Sequence, residues 1–284
     1  MNQHFLHHNG SQNENTETIA RLNIMGVGVV NARAETAVAT IDDEIGRGHR
    51  VKLAFLNAHG SNIAARDHDF RSCLNRFMVL NDGIGVDIAA RILFGRRFNA
   101  NLNGTDFVPR YLSTSRHRFR IFLLGGRPGI AERAAAAMKL RDWPHDVVGF
   151  HHGYFAPADI PAVLRTVRAS GADLLLVALG NPDQEKFVEQ HFSAFNCELA
   201  ICVGALFDFL AGAVPRAPRV MRRVGLEWLF RLILEPARLW RRYLLGNLVF
   251  LARLARARFA GSTKGERFPP STPGLEPGNL ASRS

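Results

Sequence analysis

In this 284-residue chain, the stretch Asn81-Asp82-Gly83-Ile84-Gly85 has residue types suited to acid–base chemistry. It follows an apolar run and opens a helical one, so Asp82 stands where a strand ends. A carboxylate there can accept a proton from a substrate hydroxyl, and Gly83 and Gly85 let a ligand approach the backbone. A cap on the following helix is the other reading of the same carboxylate. Gly125-Gly126-Arg127-Pro128-Gly129 also joins a strand to a helix, and its backbone N–H groups would suit a phosphate or polar sugar. Two glycines at such a turn also serve plain steric needs. Gly26-Val27-Gly28 lacks the third glycine of a dinucleotide fingerprint and reads as part of a strand. Asp67-His68-Asp69 has the look of a metal-holding Asp-x-Asp. In a helical stretch, however, its carboxylates diverge by roughly 200°, so it reads as a solvated face. His151-His152, before Gly153-Tyr154-Phe155, reads as surface loop.

The elements that must position these residues alternate along the chain. Strand-like runs are expected at Val51–Leu56, Phe77–Leu80, Phe119–Leu124, Asp173–Leu179 and Leu199–Val203. Helices are expected at Thr36–Gly46, Ser61–Asn75, Ile84–Phe94, Ile130–Leu140, Pro157–Ser170 and Gln184–Phe192. That alternation predicts an α/β fold, a Rossmann-like parallel sheet flanked by helices. Ligands of such sheets bind beyond the carboxyl ends of the strands. Asn57, Asp82, Gly125-Gly126, Gly180 through Glu185, and Gly204 through Asp208 all follow such ends.

Composition bounds the rest. Hydrophobic residues make up 47% of the chain, enough for one sizeable core. The 36 Lys and Arg against 25 Asp and Glu leave a net charge of +11, which calls for an anionic partner. Cys73, Cys197 and Cys202 form no CxxC pair, so neither a disulfide framework nor a zinc site is expected, and a reducing compartment fits. No run approaches the roughly 20 apolar residues of a membrane span.

Four segments are expected: a disordered lead-in over 1–18, an α/β catalytic domain over 19–212, an Arg-rich amphipathic helical appendage over 213–259, and a disordered tail over 260–284. Between Ala213 and Arg258 stand eleven arginines against Glu227 and Glu235. Pro236 should divide that segment into helices Leu226–Leu234 and Pro236–Phe259. On the second, helical periodicity puts Arg238, Arg241, Arg242, Arg253 and Arg256 on one face. It puts Leu239, Trp240, Tyr243, Phe250, Leu251 and Leu254 on the other, the pattern of a membrane-surface helix.

Taken in order, the motifs resemble those of the WecG/TagA/CpsF glycosyltransferases of bacterial cell-surface polysaccharide synthesis. The resemblance runs from about Leu22 to about Leu251. Its pieces are Asn57, Asn81 through Gly85, Gly104-Thr105-Asp106, Gly153-Tyr154-Phe155, Leu179 through Glu185, Gly204 through Asp208, Arg216-Ala217-Pro218, and Gly225-Leu226-Glu227-Trp228. They continue through Arg231, Glu235-Pro236, Arg238 and Arg241-Arg242-Tyr243. The resemblance implies Asp82 as general base. Asn57, Gly83, Gly85, Asp106, Gln184 and Glu185 would contact substrate, and Tyr154 and Asp208 would hold the nucleotide base. Arg231, Arg238 and Arg241 would complete the site over the donor diphosphate.

It further implies inverting transfer with no metal or other cofactor, from a UDP-sugar to a polyprenyl-diphosphate-linked glycan, in exopolysaccharide or cell-envelope synthesis. The place would be the cytoplasm, peripherally on the anionic inner face of the membrane, with homo-oligomerisation left open. Two departures stand out. Ala54-Phe55-Leu56 lacks the Thr that often precedes the family's Asn, which removes a hydroxyl from the sugar's surroundings. Asn81 replaces an Ala beside the base. A Rossmann-type sugar-nucleotide dehydrogenase or epimerase would need the missing third glycine. A nucleic-acid binder would need exposed aromatics among its basic residues, whereas here aromatics share a face with leucines, so no nucleic acid is expected.

Overall fold

The computed structural model describes residues 19–259 and 275–277. The expectation for 1–18, and that for 260–284 apart from 275–277, lies outside the described residues. The sheet consists of β1 (Arg21–Ile24), β2 (Val27–Val30), β3 (His49–Leu56), β4 (Met78–Asn81), β5 (Arg120–Gly125), β6 (Asp146–His151), β7 (Leu174–Ala178), β8 (Leu199–Cys202) and β9 (Leu275–Pro277). Strand order is β1-β2-β4-β3-β8-β7-β5-β6. β1 runs antiparallel to β2, and β9 runs antiparallel along the start of β3; every other pairing is parallel. This is the expected α/β Rossmann-like arrangement. A short strand within the expected disordered tail was not foreseen.

Central strands are apolar on both faces because helices cover both. Leu53 and Phe55 of β3 join one core layer with Leu174, Leu176 and Ile201, while Ala54 and Leu56 join the other with Leu175, Val177 and Cys202. All three thiols are buried, and burial pushes those of Cys73 and Cys197 up to about 12, which makes them inert packing groups.

Several elements differ from expectation, each for a local reason. Met25 and Gly26 both have positive φ, forming a two-residue hairpin turn between β1 and β2. The Gly26-Val27-Gly28 run therefore meets no helix N-terminus and has no dinucleotide-binding geometry. The expected helix Ser61–Asn75 is two helices, Ala58–Ala64 and His68–Leu74. Asp67 divides them: its carboxylate accepts from Phe70 N at 2.9 Å and pairs with Lys186 at 2.7 Å. Its role is a cap, not part of a solvated helical face. Helix Gly104–Thr114 was missed because Pro109 lies inside it; proline has no N–H, so the Thr105 carbonyl loses its usual partner. β6 was missed because, as an edge strand, it shows little apolar alternation.

The arginine-rich segment passes over the carboxyl ends of the strands. Short helix Arg219–Arg223 leads to Glu227–Leu234, then to a continuous helical stretch from Pro236 to Phe259 with a π-helical turn at Arg241–Leu245. That turn shifts the helical phase, so the expected faces do not persist along it. Leu239, Phe250 and Leu254 are buried, and Phe250 and Leu254 join the core layer that includes Val86 and Ala89. Arg253 turns inward and donates to the Asn62 carbonyl and Oδ1, both at 2.9 Å. Leu244, Leu245, Leu248, Val249 and Leu251 are instead exposed. Among the described residues no helix is long and apolar enough to cross a membrane.

Gly125 has φ +136°, and a Cβ there would lie 2.4 Å from the Ala178 carbonyl oxygen of the neighbouring strand. Gly125→Ala should cost roughly 3 kcal/mol or more. Gly46→Ala, which meets nothing within 4 Å at a helix end, should add about 0.5 kcal/mol. Urea denaturation of the two variants checks the contrast.

Candidate active site

β4 ends at Asn81, and the Asp82 N–H extends the ladder by donating to Leu56 O at 2.8 Å. Next comes Gly83, with φ 84° and ψ 172°, a backbone region accessible essentially to glycine alone. It is the N-cap of helix Ile84–Phe94 and supplies no side chain. The Asp82 carboxylate does not cap that helix. Its Oδ2 accepts from Asn57 Nδ2 at 3.1 Å, across the β3–β4 boundary. Asn57 is committed at both ends, since its Oδ1 accepts from Gly60 N at 3.0 Å as the cap of helix Ala58–Ala64. Asp82 Oδ1 has no protein hydrogen bond among the described residues. Gly85 sits where a Cβ would be 3.0 Å from that of Ala58, so its smallness lets the two helices approach.

Two cavities open over the strand ends. One, of about 920 Å³, extends over β7, β8, β5 and β6 and is lined by Phe55, Arg127, Tyr154, Gln184, Asp208 and Arg238. The other, of about 710 Å³, is lined by His59, Ile84, Asp106, Arg222, Glu227, Trp228 and Tyr243. Asn57, Asp82, Thr105, Arg231 and Arg242 line both. Asp82 thus stands on a common wall, flanked by two guanidinium groups.

Among the described residues no carboxylate is hydrogen-bonded to those two arginines, and Arg231 Nε and Arg242 Nε are buried without a partner. Arg231 lies 5.5 Å from the centre of the Phe209 ring, and Arg216 lies 5.6 Å from the same ring. Burial holds the Arg242 guanidinium below its ordinary pKa. Buried guanidinium N–H groups without acceptors suit an oxyanion. Burial pushes the Asp82 carboxyl above the usual carboxylate range, opposed first by the Asn57 hydrogen bond and then by Arg242 and Arg231. His59 is driven down to about 4 by burial, Arg242 and Arg66, so at neutral pH it is an uncharged imidazole. Among the described residues no cluster of three or more His, Cys, Asp or Glu side chains could hold a metal ion.

The structure brings together Asp82, Asn57, Gly83 and Gly85, and also Tyr154, Gln184, Asp208, Arg231 and Arg238, which reach the cavities. Burial raises the Asp208 carboxyl against the pull of Arg231, Arg238 and Arg127. Arg238 is held by Glu235, with contacts of 2.8 and 2.6 Å. Three expected residues differ. Arg241 is exposed on the π-turn, 5.3 Å over the Trp240 ring, and lines neither cavity; Arg242, the next residue, faces inward instead. Glu185 is fully buried behind Gln184, bonded to neighbouring amides, and does not line either cavity. Asp106 lines the smaller cavity but is engaged with protein. It accepts from Asn103 at 3.0 Å, Arg216 at 2.9 Å and Arg222 at 3.3 Å, latching the arginine-rich segment to helix Gly104–Thr114.

Residues not singled out beforehand are Thr105, His59, Arg222 and Phe55. Phe55 packs edge-on against Phe107, at 6.2 Å and 62°, and walls the larger cavity with an apolar ring where a hydroxyl was noted as missing. Thr105 belongs to the Gly104-Thr105-Asp106 motif, which is its signal in the sequence, and His59 follows the end of β3, which is the signal for it.

A family model for the WecG/TagA/CpsF glycosyl transferases matches residues 22–264. The chain belongs to this family.

Removing the amide that stabilises ionised Asp82 should raise its pKa further. Asn57→Ala should therefore move the Asp82 carboxyl titration to higher pH, as read by ¹³C NMR of the side-chain carboxyl. An unmoved titration would show that Asn57 does not tune the carboxylate.

Proposed function

We propose that this glycosyltransferase moves a sugar, with inversion, from a UDP-sugar in the larger cavity to a polyprenyl-diphosphate-linked glycan in the smaller one. The observation that carries this reading is the common wall: Asp82 lies where two cavities meet, beside Arg231 and Arg242, whose buried Nε groups have no partner among the described residues. Transfer between two bound substrates needs one point at which both reach the base.

In the proposed reaction the acceptor hydroxyl oxygen attacks the anomeric carbon from the face opposite UDP. Its proton passes to Asp82 Oδ1, the oxygen that Asn57 leaves free, while the bond from anomeric carbon to diphosphate oxygen breaks and UDP departs. Negative charge grows on the diphosphate, and Arg231, Arg238 and Arg242 stabilise it by charge-assisted hydrogen bonds. Arg242 takes the part expected of Arg241, because it is the one that faces inward. Tyr154 and Asp208, toward the β6 end, hold the nucleotide base. Arg219 and Arg222 meet the acceptor diphosphate, and Trp228, Tyr243, Ile84 and Leu251 offer its lipid an apolar path.

The exposed leucines of the terminal helix, with Arg241, Arg256 and Arg258 beside them, support peripheral docking on the anionic inner face of the cytoplasmic membrane. A lipid-linked acceptor would then enter the smaller cavity from the surface on which the helix lies.

Asp82→Asn should bind UDP within about threefold of wild type yet lose at least about 10²-fold in turnover on a lipid-linked acceptor; turnover near wild type would remove the base assignment. Because the ionised form accepts the proton, kcat/KM should fall as pH drops through an Asp82 pKa lying above the usual carboxylate range, with the lost activity on the acid side. Leu244→Ser with Leu248→Ser should lower co-sedimentation with phosphatidylglycerol vesicles by about tenfold or more, since each leucine contributes roughly 1.5 kcal/mol or more of burial. Unchanged sedimentation would place the contact elsewhere.

A further inference from the structure

Gln184 reaches the floor of the larger cavity from the start of helix Asp183–His191, after β7, and Gly204 follows β8 beside it. In the strand order β4-β3-β8-β7-β5-β6, these two loops lie between the Asp82 end and the Tyr154 end. A donor laid along that edge, with its anomeric carbon near Asp82, passes its sugar or diphosphate over Gln184.

Both ends of the Gln184 amide are tied. Its Nε2 donates to Glu185 Oε1 at 2.8 Å, and its Oε1 accepts from Gly204 N at 3.1 Å. Glu185 Oε1 also accepts from Asn181 Nδ2 at 2.6 Å, so a single buried oxygen orients two cavity-lining amides. Reversing the Gln184 amide would set its NH₂ against the Gly204 N–H and its oxygen against the Glu185 carboxyl, two repulsive contacts. One orientation survives, and its second N–H has no protein acceptor among the described residues.

We infer that Glu185 is a positioning residue that commits Gln184 to donate a hydrogen bond to an oxygen of the transferred sugar, a hydroxyl or an acetamido carbonyl. The inference rests on the reading of the larger cavity as the donor site. Glu185 is fully buried and lines neither cavity, so it meets neither solvent nor ligand directly, and its Oε2 has no partner among the described residues. Burial, opposed by the Gln184 and Asn181 amides, brings its carboxyl up to about 7. Oε1 can accept from both amides whether or not the group is ionised, so the arrangement survives either state.

The test uses the full chain and calorimetric affinities for UDP and for UDP-glucose, UDP-N-acetylglucosamine and UDP-N-acetylmannosamine. Glu185→Leu should weaken the preferred UDP-sugar about fivefold to tenfold, the scale of one lost hydrogen bond, while UDP changes less than twofold. Glu185→Gln keeps an oxygen able to face both amides and should restore most of that affinity. In a Gln184→Leu background, Glu185→Leu should add nothing further for the sugar.

Independently of any variant, ¹⁵N NMR of wild type should show one of the two Gln184 side-chain protons shifting with UDP-sugar and not with UDP. That measurement decides the matter if Glu185→Leu fails to fold. An equal loss for UDP and UDP-sugar would assign the contact to the diphosphate and overturn the inference, as would an unshifted Gln184 proton or a Glu185→Gln variant as weak as Glu185→Leu. Wild type that binds UDP-sugars no differently from a non-ligand nucleotide would instead bring down the donor-site reading itself.

Discussion

The hydrogen bond from Asn57 to Asp82 is the interaction on which the site depends. It joins the ends of two adjacent parallel strands, orients the carboxylate, and leaves one carboxylate oxygen without a protein partner among the described residues. Its geometry is doubly enforced, since Asn57 also caps the next helix and Asp82 is anchored through its backbone to Leu56. Gly83, in a backbone conformation that side chains disfavour, then turns the chain away so that no helix N–H competes for the carboxylate. The same bond acts electrostatically. It favours ionised Asp82 against the burial that would otherwise protonate it.

Around that carboxylate the charge balance is uneven in an informative way. Asp106 of helix Gly104–Thr114 is set against Arg216 and Arg222, which latches the basic segment over the strand ends, while Glu227 and Glu235 pair with Arg216 and Arg238 inside that segment. Arg231 and Arg242, which line both cavities, have no such partner among the described residues. Burying guanidinium groups without acceptors is costly, and a bound diphosphate would offset that cost. The segment from Arg216 to Phe259 therefore does two jobs: part of it is tied to the sheet by ion pairs and apolar packing, and part offers cations and apolar side chains outward.

The terminal helix departs from expectation in two places. Arg242 faces the cavities where the resemblance implied Arg241, and the exposed apolar ridge lies at Leu244, Leu245 and Leu248, where the π-turn at Arg241–Leu245 shifts the helical phase. Phe250 and Leu254, assigned to a lipid-facing side, are taken by the protein's own core. The error at Glu185 is of another kind. It stands next to Gln184 in a polar motif, and adjacent helical residues point about 100° apart, so one faces the cavity and the other the interior.

By itself the sequence determined the alternation of apolar runs and helices, the two-sided burial of the central strands, the break at Pro236, and the gathering of polar groups after strand ends, from which Asp82 was read. These follow from short-range physics: hydrophobic period, proline's missing N–H, and glycine's freedom at a turn. Pro109 and the weak pattern of β6 show where that physics misleads, because tertiary packing holds a helix and a strand that local preference does not announce. Only the tertiary structure decided that Asp82 is bound by Asn57 rather than capping a helix, that Arg242 and not Arg241 faces the cavities, and that Glu185 lies behind Gln184. Each of these depends on which way a side chain points and what it meets. Strands β3 and β4 and the terminal helix bring together residues distant in the chain, and no local preference encodes such contacts.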